Sequence, residues 1–263
     1  KEITDKNTTL NLPIEVKNLS FHYPNTSTEI LHKINCTFEF GKTYGLLGKS
    51  GCGKSTLLSI IAGLESKSSG SIFLNGKEME GSSPSIGYML QRDCLLEWRS
   101  ILSNAMFGLE IKGKTSNSDK EYVEKLLKKY SLYEFKDKYP SELSGGMRQR
   151  AALIRTLAIK PKILLLDEAF SALDYQTRIM VTNDIYSILR KEHITAIIVT
   201  HDISEAISMS DRVLVLSERP GTVKNIHNID FEIDGRNPIN CRESPKFSTY
   251  FNTLWKELKV VNE

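Results

Sequence analysis

The stretch of sequence that decides the fold is Gly48-Lys49-Ser50-Gly51-Cys52-Gly53-Lys54-Ser55. It matches the phosphate-binding loop (P-loop) pattern G-x-x-x-x-G-K-[ST], in which glycines let several backbone N–H groups converge on one anion. The apolar run at 44–47 predicts a strand before the loop, and the residues from Thr56 to position 63 have a helical pattern. We therefore expect a nucleoside triphosphate here, with Lys54 at the β- and γ-phosphates and the Ser55 hydroxyl as a magnesium ligand.

A second apolar run supplies the acidic residues that such a site needs. Residues 163–168 read Ile-Leu-Leu-Leu-Asp-Glu, so the predicted strand ends on two carboxylates. Asp167 is the candidate to hold Mg²⁺ through water, and Glu168 is the candidate general base for an attacking water. Taken alone, the pair could simply cap the next helix. A P-loop in the same chain favours the nucleotide site.

A second potential anion site lies further along the chain, in the sequence Leu143-Ser144-Gly145-Gly146-Met147-Arg148-Gln149-Arg150. Ser144 can cap a helix, and the two glycines leave backbone N–H groups open to an anion. Since only the P-loop carries a lysine, the two sites either meet at one nucleotide within the chain or each completes the site of another copy. Helix capping without a ligand is the remaining alternative for an isolated Ser-Gly-Gly.

The pattern of apolar residues predicts an α/β fold with a P-loop NTPase core. Apolar and polar residues alternate over the first forty positions, which indicates a small N-terminal antiparallel sheet. Short continuous apolar runs then alternate with helical patterns, as is typical of a mostly parallel sheet covered on both faces. Strand signals vanish between residues 100 and 139, where helical spacing predicts an insertion between the P-loop and the Ser-Gly-Gly sequence. An apolar stripe at 247–258 predicts an amphipathic C-terminal helix.

The composition argues against several classes of protein. The 263 residues carry 35 basic and 32 acidic side chains, and a net charge of +3 is too small to suggest nucleic-acid binding or a polybasic membrane anchor. The four cysteines form no C-x-x-C pair, which disfavours a metal cluster and a disulfide framework and fits a reduced, cytosolic chain. No apolar run approaches the roughly 18 residues that cross a bilayer, and residues 1–12 lack the apolar centre of a secretory signal.

From about residue 14 to residue 223 the sequence closely resembles the ATP-binding subunits of ABC transporters. Residues 48–56 are similar to the family's P-loop, 163–168 to its acidic strand and 143–149 to its signature. Four single positions also match family motifs: the Q-loop glutamine, the D-loop aspartate, the switch histidine and the aromatic residue that stacks on adenine. These residues are Gln91, Asp174, His201 and Tyr23.

The resemblance implies an ATP hydrolase that forms a head-to-tail homodimer around two ATP molecules. Each ATP would lie between the P-loop of one copy and the signature of the other, namely Ser144, Gly145, Gly146, Met147 and Gln149. Glu168 would be the general base, His201 would contact the γ-phosphate, and Asp174 would cross towards the partner's site. The Mg²⁺ ligands that the resemblance implies are Ser55, Gln91 and Asp167.

Segments 95–108 and 211–221 most resemble one importer group, which serves nitrate, sulfonates such as taurine, and thiamine-precursor pyrimidines. In such importers a groove near 91–98 receives a helix of the membrane permease, and an extracytoplasmic solute-binding protein takes part indirectly. Leu95, Leu96 and Trp98 place apolar side chains in this region, where they either pack inside the helical insertion or face the permease. The resemblance implies a peripheral protein at the cytoplasmic face of the cell membrane, without a nucleic-acid partner.

The implied domains are an ABC ATPase domain at 1–243, with a helical subdomain at about 92–158, and an amphipathic helix at 244–263 packed on or between ATPase domains. A soluble ABC-type ATPase that acts as a scaffold or assembly factor, with no tie to transport, is the alternative function. The transported substrate would contact the permease and the binding protein rather than this chain.

Overall fold

The computed structural model describes residues 14–24 and 26–259. Residues 1–12, for which no secretory signal was predicted, lie outside the described residues, as do the first residues of the predicted ATPase domain and the last residues of the predicted C-terminal helix. Two β-sheets organise this part of the chain. The strands are β1 (Ile14–His22), β2 (Glu29–Phe38), β3 (Thr43–Leu47), β4 (Ser69–Leu74), β5 (Lys77–Glu78), β6 (Ile86–Met89), β7 (Ile163–Asp167), β8 (Thr195–Val199), β9 (Arg212–Leu216) and β10 (Val223–Asn228).

The central sheet has six strands in the order β10-β9-β3-β8-β7-β6, and all but β10 are parallel. Every residue of β3, β7 and β8 is buried, which explains why these strands appear in the sequence as continuous apolar runs. Val199 lies opposite both Leu46 and Asp167, so the carboxyl ends of β3, β8 and β7 are side by side. The predicted mostly parallel sheet is confirmed, and its carboxyl edge collects the segments that follow these strands.

Eight α-helices occur within the described ranges. They are α1 (Lys54–Ile61), α2 (Ile101–Ile111), α3 (Asn117–Lys129), α4 (Gly145–Ala158), α5 (Tyr175–Lys191), α6 (Ile203–Met209), α7 (Pro238–Glu243) and α8 (Pro245–Lys259). Helices α2, α3 and α4 pack on one another around Ile101, Val123 and Leu153. This core continues to one face of the central sheet through Leu164 and Ile198, so the helical insertion is anchored on the parallel strands.

The second sheet is antiparallel, with the strand order β2-β1-β4-β5. Val16 and Ile34 on its inner face share a core with Leu57 of α1 and with Leu165 and Ile197 of the central sheet. The predicted N-terminal antiparallel sheet is thereby confirmed, and it covers the face of the central sheet opposite to the helical insertion. Helix α1, which begins at the P-loop, lies in the layer between the two sheets.

Helix α8 packs on the core of its own chain. Leu254 is buried beside Phe231 and Ile207, and Tyr250 contacts the same cluster. The Glu257 carboxylate contacts His227 of β10 at 2.6 Å, which fixes the far end of the helix. Among the helices of the described residues, none has both the length and the apolar character needed to cross a membrane.

Candidate functional site

The P-loop joins the carboxyl end of β3 to the amino end of α1. Gly51 and Gly53 have φ angles of +76° and +105°, a left-handed backbone that other residues adopt at a cost. A Cβ on Gly53 would also lie 2.6 Å from a methyl group of Leu31. The glycines thus allow a tight turn over the N-terminus of α1, where the first backbone N–H groups lack helical acceptors.

Lys54 and Ser55, the first residues of α1, connect the P-loop to the acidic strand. The Lys54 Nζ donates hydrogen bonds to the carbonyl oxygens of Gly48 and Lys49 at 2.8 and 2.9 Å, so its ammonium lies inside the turn. The Ser55 hydroxyl donates to Oδ1 of Asp167 at 2.9 Å. Asp167 is 4% exposed, and burial raises the pKa of its carboxyl above the usual range.

Tyr88 also contacts Asp167, although no local sequence pattern singles it out. Its hydroxyl donates to Oδ2 of Asp167 at 3.4 Å and lies 3.3 Å from the Ser59 hydroxyl. Burial raises the pKa of Tyr88 to about 12, so the hydroxyl stays protonated and can donate at neutral pH. The contact depends on strand pairing rather than on the local sequence. Because β6 pairs with β7, Tyr88 lies opposite Leu165 and its side chain reaches Asp167.

The oxygen atoms of Ser55 and Asp167 are the kind of donors that Mg²⁺ prefers. No group of three or more His, Cys, Asp or Glu residues that could hold a metal occurs at 14–24 or 26–259. Two protein ligands suit Mg²⁺, because this ion is usually bound by one or two protein side chains together with phosphate oxygens of the nucleotide. Gln91, the third predicted ligand, uses its amide nitrogen in a hydrogen bond to Glu168.

Glu168, Gln91 and His201 form a cluster just beyond β7. The Gln91 Nε2 donates to Oε2 of Glu168 at 3.0 Å, and the His201 Nδ1 lies 3.6 Å from the same oxygen. Glu168 has a left-handed φ of +47°, held by a 2.9 Å hydrogen bond from its N–H to the carbonyl oxygen of Val199. The two predicted catalytic residues and Gln91 therefore lie together at the carboxyl edge of the sheet.

Tyr23, the candidate for adenine stacking, lies beside the P-loop helix. Its hydroxyl is 3.3 Å from that of Thr56, and its ring packs edge-on against Phe21 with centroids 4.9 Å apart. The side chain remains 42% exposed. Tyr23 is thus held at the rim of the same site, with aromatic surface still accessible to a ligand.

The signature residues form the exposed start of α4. Ser144 caps the helix by accepting from the N–H of Met147 at 3.4 Å, and a Cβ on Gly145 would meet nothing within 4 Å. No hydrogen bond among the described residues joins this segment to the P-loop. Gln149, in contrast, is 4% exposed and its Oε1 has no partner at described positions. The structure therefore buries Gln149 one helical turn beyond the exposed Ser144 and Gly145.

Asp174, the D-loop residue, caps α5. Its Oδ1 accepts from the N–H of Thr177 at 3.0 Å, and hydrogen bonding to Thr177 lowers the pKa of this exposed carboxyl. The neighbouring Leu173 packs against Gly146, where an added Cβ would lie 3.4 Å from a leucine methyl. The D-loop and the signature helix are thus in contact within one chain.

The hairpin between β9 and β10 holds the P-loop from outside. The Arg219 guanidinium donates to the carbonyl oxygen of Gly51 through Nε at 3.2 Å and Nη2 at 2.8 Å. Glu218 forms an ion pair with Lys49, and a Cβ on Gly221 would lie 2.3 Å from the carbonyl oxygen of Cys52. No local pattern predicts these contacts, because their partners are nearly 170 residues apart in sequence.

We expect Arg219→Ala to loosen the P-loop and to raise the KM for ATP by about three- to tenfold, with little change in kcat. A charge-assisted hydrogen bond of this exposed kind contributes about 1 kcal/mol, which corresponds to that change. ATPase kinetics measure the effect. Lys224→Ala is the control, because Lys224 lies on the same hairpin but contacts Glu257 of α8. A lower kcat at unchanged KM would contradict this positioning role.

Arg148 ties the signature helix to the segment after Gln91. Its guanidinium donates to both carboxylate oxygens of Asp93 at 2.9 and 3.0 Å and to Glu97 at 2.7 Å. Arg155 adds hydrogen bonds to the backbone carbonyls of Asp93 and Cys94. A displacement of the segment that follows Gln91 would therefore be transmitted, within one chain, to α4, the helix that begins at the signature.

We expect Arg148→Met to lower the free energy of unfolding by about 1–2 kcal/mol, because the change removes charge-assisted hydrogen bonds to a half-buried carboxylate. Urea denaturation measures the loss. Arg92→Met is the matched control, since Arg92 is exposed and forms no hydrogen bond or ion pair with residues 14–24 or 26–259. Equal stability of the two variants would show that the Asp93 contact contributes nothing measurable.

Comparisons with known proteins agree with this geometry. The family described as ABC transporter matches residues 31–171. YtlC of Bacillus subtilis, described as an uncharacterized ABC transporter ATP-binding protein, is 47% identical over 236 residues, which are 90% of this chain and 91% of YtlC. The aliphatic sulfonates import ATP-binding protein SsuB of Bacillus licheniformis is 35% identical over 252 residues, 96% of either chain.

A similar solved structure is that of MJ0796, a bacterial ABC transporter cassette, in dimeric form. It superposes with a TM-score of 0.75 at 27% identity, covering 82% of this chain and 99% of MJ0796. A second MJ0796 dimer represents a post-hydrolysis state bound to ADP and phosphate. The matched family segment and the extent of these relatives identify the chain, and the resemblance found in the sequence is confirmed. The chain belongs to the ATP-binding subunits of the ABC transporter family and is an ATP hydrolase.

Proposed function

We propose that this protein is the ATP-hydrolysing subunit of a membrane importer, and that hydrolysis at the interface of a head-to-tail homodimer drives solute uptake. One observation supports the dimer above the others: Ser144 and Gly145 are exposed and make no hydrogen bond to the P-loop of their own chain among described residues. A second copy, related by a two-fold axis, would bring its signature to that P-loop. Both similar solved structures of MJ0796 are dimers, which supports an assembly of two copies.

In this proposal the residues at the carboxyl edge of the sheet divide the chemistry between them. Glu168, held through its Oε2 by Gln91, accepts the proton of the water that attacks the γ-phosphate. Lys54 neutralises charge on the β- and γ-phosphates, and His201 contacts the γ-phosphate beside the same Glu168 oxygen. When bound at Ser55 and Asp167, Mg²⁺ supplies further neutralisation of the phosphates.

We assign Tyr23 to adenine stacking and Asp174 to contact with the partner's site. ATP then joins the two copies, because its triphosphate is held by the P-loop of one chain and the signature of the other. Hydrolysis removes the contacts to the γ-phosphate, and the two chains separate. Gln149 completes the proposed signature, and its side chain is buried one helical turn beyond Gly145.

Coupling to a permease is proposed through the segment that follows Gln91, within a helical subdomain assigned to about 92–158. Leu95 is 6% exposed and packs in the helical core, whereas Trp98 is 76% exposed. The two interpretations of these apolar residues therefore apply to different side chains. Trp98 is a large, exposed aromatic residue that follows Gln91 by a few positions, and Gln91 bonds to Glu168. This position supports docking of a partner at Trp98.

We expect Trp98→Ala to reduce co-purification with the permease, and ATP-dependent uptake, by about tenfold or more, because buried tryptophans at interfaces typically contribute about 2 kcal/mol. Basal ATPase activity of the isolated subunit should stay the same. Trp255→Ala is the matched control: this tryptophan is 45% exposed on α8, far along the chain from the Q-loop segment. Equal losses in both variants would contradict docking at Trp98.

For the substrate, we infer nitrate, a sulfonate such as taurine, or a thiamine-precursor pyrimidine. The resemblance of segments 95–108 and 211–221 suggests all three, and a relative named as an aliphatic sulfonates import subunit supports the sulfonate. Affinity capture from membranes, followed by uptake assays with these three solutes in the reconstituted complex, tests the proposal. Recovery of a polytopic membrane protein and an extracytoplasmic binding protein supports an importer and a peripheral position at the cytoplasmic face of the membrane. Recovery of soluble partners alone would favour the ATPase scaffold instead.

A further inference from the structure

A cavity of about 900 Å³ lies at the opposite edge of the central sheet from the nucleotide site. Gly41, Lys162 and Ile194 line it, and they lie one or two residues before β3, β7 and β8 respectively. The P-loop, Glu168 and His201 follow the other ends of these same strands. The remaining walls come from α3 of the helical insertion, from the end of α4 and from the end of α5, so the cavity is separate from the residues assigned to ATP.

The cavity combines an apolar floor with a basic rim. Leu126, Leu157 and Ile194 are buried along the floor, and Tyr122 is half-buried beside them. The lysines that line it are Lys129, Lys160, Lys162 and Lys191. Glu192 is the one carboxylate among the lining residues. The four lysines bring more positive than negative charge to this cavity, and a bound anion would reduce their mutual repulsion.

These lysines have no direct ionic partner in the part of the chain that the structure describes. None of the four ammonium groups forms an ion pair or a hydrogen bond with residues 14–24 or 26–259. The Lys160 Nζ instead lies 4.3 Å from the centroid of the Tyr122 ring, a cation–π contact that holds the charge over the wall of the cavity.

The ends of helices account for only part of this cluster. Lys129 and Lys191 are the last residues of α3 and α5, where a cation is favoured by the helix dipole. Lys162 lies outside any helix: its N–H donates to the carbonyl oxygen of Ser85, and its own carbonyl accepts from Thr195, so its backbone belongs to the edge of the sheet. Convergence of the four charges on one cavity is therefore a property of the tertiary structure.

We propose that this cavity is a binding site for a small amphipathic organic anion. The apolar body of the ligand lies on Leu126, Leu157 and Ile194, and its sulfonate, carboxylate or phosphate group lies among the lysines. The volume falls within the range of about 300–1,000 Å³ that small-molecule sites occupy, and the lining joins apolar and cationic side chains, which matches the two parts of such a ligand. An inorganic anion would leave the floor uncovered, and an organic cation would be repelled.

The test uses 1-anilinonaphthalene-8-sulfonate, a fluorescent aromatic sulfonate, as the probe on the full chain, with MgADP present at saturation to occupy the nucleotide site. Lys160→Glu combined with Lys162→Glu is expected to raise the Kd of the probe at least about tenfold. Lys120→Glu combined with Lys125→Glu is the matched control, because these exposed lysines lie on α3 but do not line the cavity. The control pair is expected to leave the Kd unchanged.

Competition defines the ligand class and the result that would overturn the proposal. Octanesulfonate should displace the probe, whereas sodium sulfate and octyltrimethylammonium at equal concentration should not. Hydrogen exchange should show protection at 157–162 and 188–194 on binding. The site is overturned if the two lysine pairs lose binding equally, if neither pair loses binding, or if the probe fails to bind while MgADP is saturating. If the charge reversals prevent folding, Lys160→Gln with Lys162→Gln is judged by the same criteria, with an expected increase in Kd of about threefold or more.

Discussion

Glu168→Gln is expected to reduce the rate of ATP hydrolysis at least about 100-fold while leaving the affinity for ATP within about twofold of the original, because general base catalysis typically contributes 10²–10⁴ in rate. Glutamine keeps the size of the side chain and can still bond to Gln91, but it cannot accept the proton of an attacking water. With binding intact and hydrolysis blocked, the ATP-bound dimer should accumulate. Phosphate release and size exclusion in MgATP measure the two effects.

The control for this variant is Glu192→Gln, which makes the same chemical change on an exposed residue at the opposite edge of the central sheet. It should leave turnover and oligomeric state as they are. Rapid hydrolysis by Glu168→Gln, or a monomer in MgATP, would contradict the role of Glu168 or the role of ATP in joining the two copies. The left-handed backbone at Glu168 is set by the bond to Val199, so the substitution should not disturb the fold.

Local sequence patterns predicted those parts of the site that depend on short-range chemistry. The P-loop turn requires positive φ angles at Gly51 and Gly53, which glycine adopts readily. Ser144 caps α4 by accepting a hydrogen bond from the N–H of Met147, only three residues later. The presence of a mostly parallel and an antiparallel sheet also followed from continuous and alternating apolar runs, although these runs did not predict the order of the strands. For these features, the residue types by themselves restrict the backbone.

Contacts between distant segments were beyond local patterns. Tyr88 reaches Asp167 only because β6 pairs with β7, and Arg219 reaches Gly51 only because a hairpin near residue 220 folds back over the P-loop. The sequence placed Gln149 with the signature, but its side chain is buried one helical turn further along α4 than the exposed Gly145. Residues four apart lie on the same side of a helix, so Gln149 is buried by other segments that pack over it, and a short motif does not specify that packing.

Lys54→Ala is expected to weaken ATP binding about 100-fold, because it removes the ammonium that lies inside the P-loop turn, and a buried charged contact of this kind contributes about 3 kcal/mol. Ser144→Arg should leave the P-loop unchanged but fill the open face at the start of α4, which would block a partner's nucleotide. Each variant alone should be nearly inactive in an ATPase assay. Their separate binding constants distinguish them, since only Lys54→Ala loses affinity as a monomer.

Mixing the two variants tests the head-to-tail arrangement directly. In a mixed dimer, one composite site contains both substitutions, while the other combines an intact P-loop with an intact signature. If dimers form at random and sites act independently, equal amounts of the two proteins should recover about a quarter of the original activity. Lys54→Ala mixed with Glu168→Gln is the control, because both changes fall on the P-loop half and leave no intact site in any dimer. A nucleotide site completed within one chain would give no recovery in either mixture, since every polypeptide would then carry a defective site.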